Sequence, residues 1–243
     1  FFFKQKTAYE IYQCDWSSDV CSSDLTIAVE LLDETGAVNV GGVMAAEGTT
    51  SFERSVARAM RSPLGVGAAK FHTGGAAGEV DTVYLGVFKR DALIEVGGFD
   101  EHFTRAQDWE LNYRLRSKGG KIFFDPRLTV TYRPRKSLLA LAKQYFEYGR
   151  WRRVVTRTHK GTINYRYLAP PVTFLAVLIS LIGSILNSIL IIPAAIYGGF
   201  LIIAAISIGR GLLERIFLPF VLFAMQMSWG VGFLTSPKRL AKS

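Results

Sequence analysis

Cysteine is almost missing from this 243-residue sequence: there are two, Cys14 and Cys21, and none from residue 26 onward. Residues 26–243 can therefore hold no disulfide framework, cysteine metal site or cysteine nucleophile. Glycine is plentiful, yet no Gly-rich phosphate loop of the Walker or Rossmann kind occurs. No Asp-x-Asp occurs that would suit a metal-bound diphosphate; Glu79-Val80-Asp81 comes nearest and reads better as a solvated turn opening a strand. His72 has no partner at ligand spacing, which excludes a metal site built on it. Charge is absent from the whole run 167–209. As helix those 43 residues would extend about 64 Å, against a hydrocarbon core about 30 Å thick. That is two spans, or one span with extra buried helix. Disorder is excluded by a 13% aromatic and 49% hydrophobic composition.

Residues 1–25 have neither a clean structural period nor a signal-peptide pattern. Asp15–Leu25 resembles the conceptual translation of a sequencing-adapter oligonucleotide, and Phe3–Ile11 the matching primer. The segment is set aside as an artefact, the alternative being an irregular N-terminal arm. That leaves 218 residues with a net charge of +11 instead of +9.

Three blocks follow. Residues 26–132 carry twelve Lys/Arg and fourteen Asp/Glu, as an ordinary soluble domain does. Residues 133–166 carry ten Lys/Arg and one acid, and 167–243 carry five and one in otherwise apolar sequence. Excess positive charge beside an apolar block points to a membrane surface rather than nucleic acid, since anionic headgroups attract each Lys/Arg by about 1 kcal/mol. Helices are expected near 170–187 and 190–208, with Asn187-Ser188 and Pro193 as places to turn. A second uncharged run, 216–237, is long enough for a third span.

The positive-inside rule puts 133–166 in the cytoplasm, and a helical hairpin returns Arg210 and Arg215 there. A third full span would carry Lys238, Arg239 and Lys242 to the other side, against the rule. Either that segment lies in the interface or re-enters, or the rule fails here. Within 136–166, Leu138, Leu141, Ala142 and Tyr145 fall at helical spacing, and Lys143, Arg150, Arg153 and Arg157 form another stripe. This is the pattern of an amphipathic interface helix, with Tyr145, Tyr148 and Trp151 suited to the headgroup level. Its basic residues, Arg150 among them, could hold the phosphates of a lipid-linked acceptor; a solvated face is the alternative.

In the soluble block the expected strands are 38–44, 81–88, 121–124 and 128–132, and the helices 51–60, 90–95 and 107–118. Alternation of this kind implies an α/β fold. Pro63–Glu79 is glycine-rich, suited to close approach of a ligand or simply a mobile loop. The helix opening at Gln107 has Leu111 and Leu115 on its inward face, and Asp108, three residues before Leu111, shares it. A carboxylate in a first turn gains about 0.3–1 kcal/mol from the helix N-terminus. By spacing alone, Asp108 is equally an N-cap.

Val96-Gly97-Gly98-Phe99-Asp100-Glu101, then Gln107-Asp108 and the Leu111–Arg116 helix, resembles the acceptor half of family 2 glycosyltransferases. Leu85-Gly86-Val87-Phe88 resembles the strand before it. Ser62-Pro63-Leu64-Gly65, Asp81–Val87 and Gln144–Gly149 resemble membrane-bound members related to succinoglycan-biosynthesis enzymes. The resemblance implies a GT-A-like α/β domain, then an interfacial helix and two to three transmembrane helices. It divides the chain into an acceptor-side half at 26–135, a basic interface segment at 136–166 and a membrane region at 167–243. It implies an inverting transfer from a nucleotide sugar to a lipid-linked or glycan acceptor, for exopolysaccharide or cell-surface glycan, at a bacterial cytoplasmic membrane with the catalytic domain inside. Asp108 would be the catalytic base, and Gly97, Gly98, Asp100, Gln107 and Trp109 would line the acceptor side.

This sequence departs from the pattern in three places. The usual Glu-Asp pair is Gln107-Asp108. Tyr132-Arg133-Pro134-Arg135 keeps the arginine of a His-x-x-Arg motif but not its histidine, leaving Arg135 as the diphosphate contact. Gln144 and Arg150-Trp151 stand too far apart for Gln-x-x-Arg-Trp. The family's donor-binding half, with the acidic motif for Mg²⁺ or Mn²⁺, is expected before Thr26, so the sequence reads as the C-terminal part of a longer enzyme, inactive by itself. The competing class is a non-catalytic, membrane-anchored accessory protein. A transporter is disfavoured, because no charge within the apolar runs marks a pathway.

Overall fold

The computed structural model describes residues 18–67 and 69–241. Cys14, Lys242 and the rest of residues 1–17 lie outside them. In chain order the elements are α1 (Ser18–Thr35), β1 (Asn39–Ala46), α2 (Ser51–Met60), α3 (Pro63–Val66), α4 (Lys70–Thr73), β2 (Gly78–Glu79), β3 (Tyr84–Phe88) and α5 (Arg90–Glu95). Then come α6 (Gln107–Ser117), β4 (Ile122–Tyr132), α7 (Leu138–Thr158), α8 (Tyr165–Gly183), α9 (Ile192–Ile208) and α10 (Leu212–Thr235). A 3-10 turn, Ser188–Ile191, leads into α9. They form two units: a sheet unit of residues up to 47 and 68–133, and a helical unit of 48–67 and 134–243.

The sheet unit is a four-stranded mixed sheet of order β2-β4-β1-β3. β1 and β4 are parallel; β3 and β2 run antiparallel to them. In α1, Ala28, Leu31 and Leu32 recur at helical spacing and pack with Val40, Val87 and Leu128 on one face. On the other, Leu111 and Leu115 of α6 and Leu93 of α5 pack with Val83, Phe88, Ile122 and Phe124. Full burial of a leucine contributes about 1.5–3 kcal/mol, so these two layers hold the sheet between helices, as the α/β expectation requires.

β4 is one strand, not the two expected. Asp125-Pro126-Arg127 forms a bulge between the paired segments 122–124 and 129–132. Arg127 grips both carboxylate oxygens of Asp125, at 3.1 and 3.0 Å, and holds that carboxyl below its usual range. Proline lacks the N–H a ladder needs, so it sits where pairing is interrupted. Opposite the bulge, Gly42 leaves room for the Leu128 backbone, where a Cβ would collide.

In the helical unit, α2 carries a capping box. Thr50 Oγ1 accepts from Glu53 N, and Glu53 Oε2 accepts from Thr50 N, Thr49 N and the Thr49 hydroxyl. The Thr49 hydroxyl first, then the Thr50 and Thr49 amides, bring the Glu53 carboxyl down to about 2. Although α2 lies within the soluble block of the sequence, it packs on α10, with Phe52 edge-on to Phe217 at 5.9 Å.

α8, the 188–208 segment and α10 are each long and apolar enough to cross a membrane. The hairpin turns where Asn187 was expected to turn it; its side chain accepts from Ile189 N. Ser180 Oγ donates to Leu190 O at 2.6 Å and accepts from Ala194 N at 3.1 Å, closing the turn. Tyr145 and Trp151 are buried rather than displayed at headgroup level.

Candidate functional site

Asp108 is the second residue of α6 and half-buried, with fully buried Leu111 one turn on. It is not the N-cap. That position belongs to Ala106, which has left-handed backbone (φ 60°, ψ 18°) and no side-chain capping bond. A non-glycine residue held there costs about 1–3 kcal/mol, strain that gathers at functional sites. The helix thus starts abruptly, with Gln107 and Asp108 in its first turn. Trp109 stacks on Tyr113, one turn along, with ring centres 5.7 Å apart.

The loop before α6 is anchored by Phe103, fully buried, and by Phe99, edge-on to Phe88 at 6.0 Å. Gly97 and Gly98 both have positive φ, 77° and 71°, and end α5: the Gly98 amide reaches back to Leu93 O at 2.8 Å. Asp100 Oδ1 accepts from His102 N at 3.0 Å, which engages one carboxylate oxygen in the turn itself.

Glu110 and Arg114 were not singled out in the sequence, yet they tie this loop to α6. Glu110, 1% exposed, accepts from Arg114 Nε and Nη2, both at 2.8 Å. The same guanidinium donates to Val96 O and Gly98 O, the carbonyls flanking the double glycine. The i,i+4 Glu–Arg spacing was the available signal; a solvated helix pair has the same spacing. A second buried link joins Asn39 Nδ2 to Asn112 Oδ1 at 2.7 Å and Asn112 Nδ2 to Thr82 Oγ1 at 2.8 Å. No sequence pattern announces it. A concavity of about 210 Å³ opens at the opposite end of α6, around Val96, Leu115 and Lys118, and none of the predicted site residues lines it.

The glycine-rich stretch is not one loop: it contains α3, α4 and β2. The His72 ring lies tilted against Phe71 with centres 4.2 Å apart, its Nδ1 is buried without a hydrogen-bond partner, and burial pushes its pKa down to about 4. Among the described residues no group of three or more His, Cys, Asp or Glu could hold a metal ion.

Arg135 and Arg150 belong to the helical unit. Arg135 is exposed, just before α7. Arg150 pairs with Glu147 at 3.4 Å, and its Nε is buried without a hydrogen-bond partner. Other arginines of the α7 stripe are committed to α10. Arg157 donates to Ser236 O at 2.9 Å, and Arg153 lies 5.0 Å over the Phe233 ring.

The chain is 30% identical over 211 residues to the succinoglycan biosynthesis protein ExoA of Rhizobium meliloti (strain 1021), a match covering 82% of this chain and 61% of that protein. Over 84 residues it is 34% identical to the dolichyl N-acetyl-alpha-D-glucosaminyl phosphate 3-beta-D-2,3-diacetamido-2,3-dideoxy-beta-D-glucuronosyltransferase of Methanococcus voltae, covering 35% of this chain and 25% of that enzyme. The chain thus spans less than two thirds of either relative. No family model and no solved structure matches it. The resemblance to glycosyltransferases related to succinoglycan biosynthesis, carried by the motifs of residues 81–135, is borne out: the chain is a homologue of them.

Proposed function

From that kinship we propose that the parent protein is an inverting glycosyltransferase that moves a sugar from a nucleotide sugar to a lipid-linked or polysaccharide acceptor at the cytoplasmic face of a bacterial membrane. The observation that carries the reading is Asp108 in the first turn of α6, directly after left-handed Ala106 and on a helix tied to the Gly97-Gly98 turn through Arg114. In the proposed step the acceptor hydroxyl gives its proton to the Asp108 carboxylate. Its oxygen forms the new bond to the anomeric carbon, and the bond to the nucleotide diphosphate breaks on the opposite face. A base must stand within about 2.6–3.2 Å of the hydroxyl it deprotonates. Gln107 and Trp109 would orient the acceptor, and Arg135 would meet the diphosphate. A divalent ion is expected for such an enzyme, and among the described residues no group of three or more His, Cys, Asp or Glu marks where it would bind.

The test is Asp108→Asn in the full-length enzyme, with transfer of labelled sugar into the lipid and polysaccharide fractions of membranes as the readout. Loss of general-base catalysis predicts a 10²–10⁴-fold fall in rate, to order of magnitude, at unchanged protein level. Turnover near the parent's would remove Asp108 as the base; absence of transfer by the parent itself would favour the accessory-protein class.

A further inference from the structure

We propose that α10 does not cross the bilayer but lies in its interfacial layer beside α7, so that the chain crosses only as the α8–α9 hairpin. The Arg-rich segment and the basic C-terminal end then face the same compartment.

By length and composition α10 qualifies as a span, and Tyr197 of α9 bonds its Gln226; the charged helices packed along it are what argue against one. At its first turn Glu214, 7% exposed, is held by Arg54 at 3.4 Å and Arg58 at 3.7 Å, both from α2, and accepts from the Arg210 amide at 3.1 Å. At its far end Ser236 donates to Arg150 O at 3.0 Å and accepts from Arg157. Between these points α10 lies against α7: Gly149 faces Trp229 and Phe233, and Gly232 faces Phe146 and Arg150. α7 carries Lys143, Glu147, Arg150, Arg152, Arg153 and Arg157 within 21 residues. A crossing α10 would draw this helix or α2 toward the hydrocarbon centre, at about 2.5–3.5 kcal/mol per arginine.

The hairpin gives an independent reason. Two consecutive spans enter and leave the bilayer through one face. α8 leaves that face near Pro170, and Gly230 at the C-terminal end of α10 packs on Pro170 and Phe174. α9 returns to it at Gly209, which packs on Arg215 and Leu218 at the N-terminal end of α10. One end of α10 meets the entry and the other the exit, so both ends sit at the face where the hairpin is rooted. Ile216, Phe220 and Phe223, exposed at helical spacing, give α10 an apolar stripe for the acyl chains. Lys238 and Arg239 then share a compartment with the ten Lys/Arg of 133–166, which removes the conflict with the positive-inside rule.

This rests on the membrane reading of α8 and α9 and not on any activity. The full chain carrying Cys14→Ser and Cys21→Ser receives one new cysteine at a time, Lys160→Cys, Leu186→Cys at the exposed hairpin tip, or Arg239→Cys. Each is treated with a membrane-impermeant maleimide in sealed right-side-out and inverted vesicles. Positions 160 and 239 are expected to label from one side and 186 from the other. Labelling of 239 together with 186 would overturn the proposal and make α10 a span. Labelling of 160 and 186 from the same side would overturn the hairpin reading on which it rests.

Discussion

The close crossing of α7 and α10 in the helical unit can be tested by adding a single methyl group. A Cβ placed on Gly232 would stand 2.8 Å from the carbonyl carbon of Phe146 and nearer still to its oxygen. A Cβ on Gly149 would meet the Trp229 carbonyl in the same way. Ordinary contact begins near 3.4 Å, so the carbonyl carbons alone require 0.6 Å of separation and the nearer oxygens require α7 and α10 to part by more than that. A gap of 0.5–1 Å forfeits about a quarter to a half of the dispersion energy of the atoms it separates. Overpacking of this kind costs about 1–3 kcal/mol, and at 2–4 °C per kcal/mol for a chain of this size the melting temperature should fall by roughly 2–12 °C. The measurement is the temperature at which detergent-solubilised protein loses its monodisperse size-exclusion peak. One separation relieves both clashes, so the double variant Gly149→Ala/Gly232→Ala should lose less than the sum of the singles, with at least about 0.5 kcal/mol of coupling. Gly199→Ala, where a Cβ meets nothing within 4 Å, is the control and should lose nothing. If Gly232→Ala melts with that control, or the double variant is additive, the close crossing is wrong.

Further outcomes follow from the polar links. Arg114→Met leaves the Glu110 carboxylate buried without its ion-pair partner and frees the Gly97-Gly98 turn; unfolding free energy should fall by about 3–5 kcal/mol in denaturant titration. Arg114→Lys should recover only part of it, since an ammonium cannot fork across a carboxylate and two carbonyls. Glu53→Gln should be less stable than the parent at pH 7 by about 1–2 kcal/mol. The Glu53 carboxyl is depressed to about 2 from its ordinary 4.5, so its contribution is complete above pH 4.5 and is lost as pH falls toward 2. The gap between parent and variant should therefore close over that window, and a gap independent of pH would refute the assignment.

The parts of the fold written in hydrophobic spacing were legible in the sequence. Leu111 and Leu115 gave α6 its inward face, and the uncharged run with Asn187 in its middle gave the hairpin. Two elements misled for opposite reasons. Pro126 divided β4 into two because proline excludes ladder pairing locally, whereas the strand resumes beyond the bulge in a shifted register, with Gly42 opposite the shift. α2 was placed with the soluble block because it is charged and lies early in the chain; its burial depends on Glu214 and Phe217, more than 150 residues away. At the candidate site the glycine pair and Asp108 were readable as a motif. Glu110 and Arg114 were not, since an i,i+4 charge pair carries no mark of burial. The left-handed backbone at Ala106 has no residue-type signature, and it is what excluded the capping role that spacing allowed for Asp108.

The path of the chain through its two units sets an order of assembly. The chain leaves the sheet unit after Glu47, returns at residue 68 and leaves again after Arg133. α2 emerges early, with Val56, Ala59 and Met60 on a face whose partner α10 comes some 150 residues later. At a synthesis rate of about 5–20 residues per second, that face waits roughly 8–30 seconds for its partner. During that interval the rest of the sheet unit, then α7 and the α8–α9 hairpin are made, and α10 does not yet exist. A helix that must stay solvated so long is served by the polarity of Glu53, Arg54 and Arg58, and its capping box, closed within four residues, can form before any other part of the helical unit.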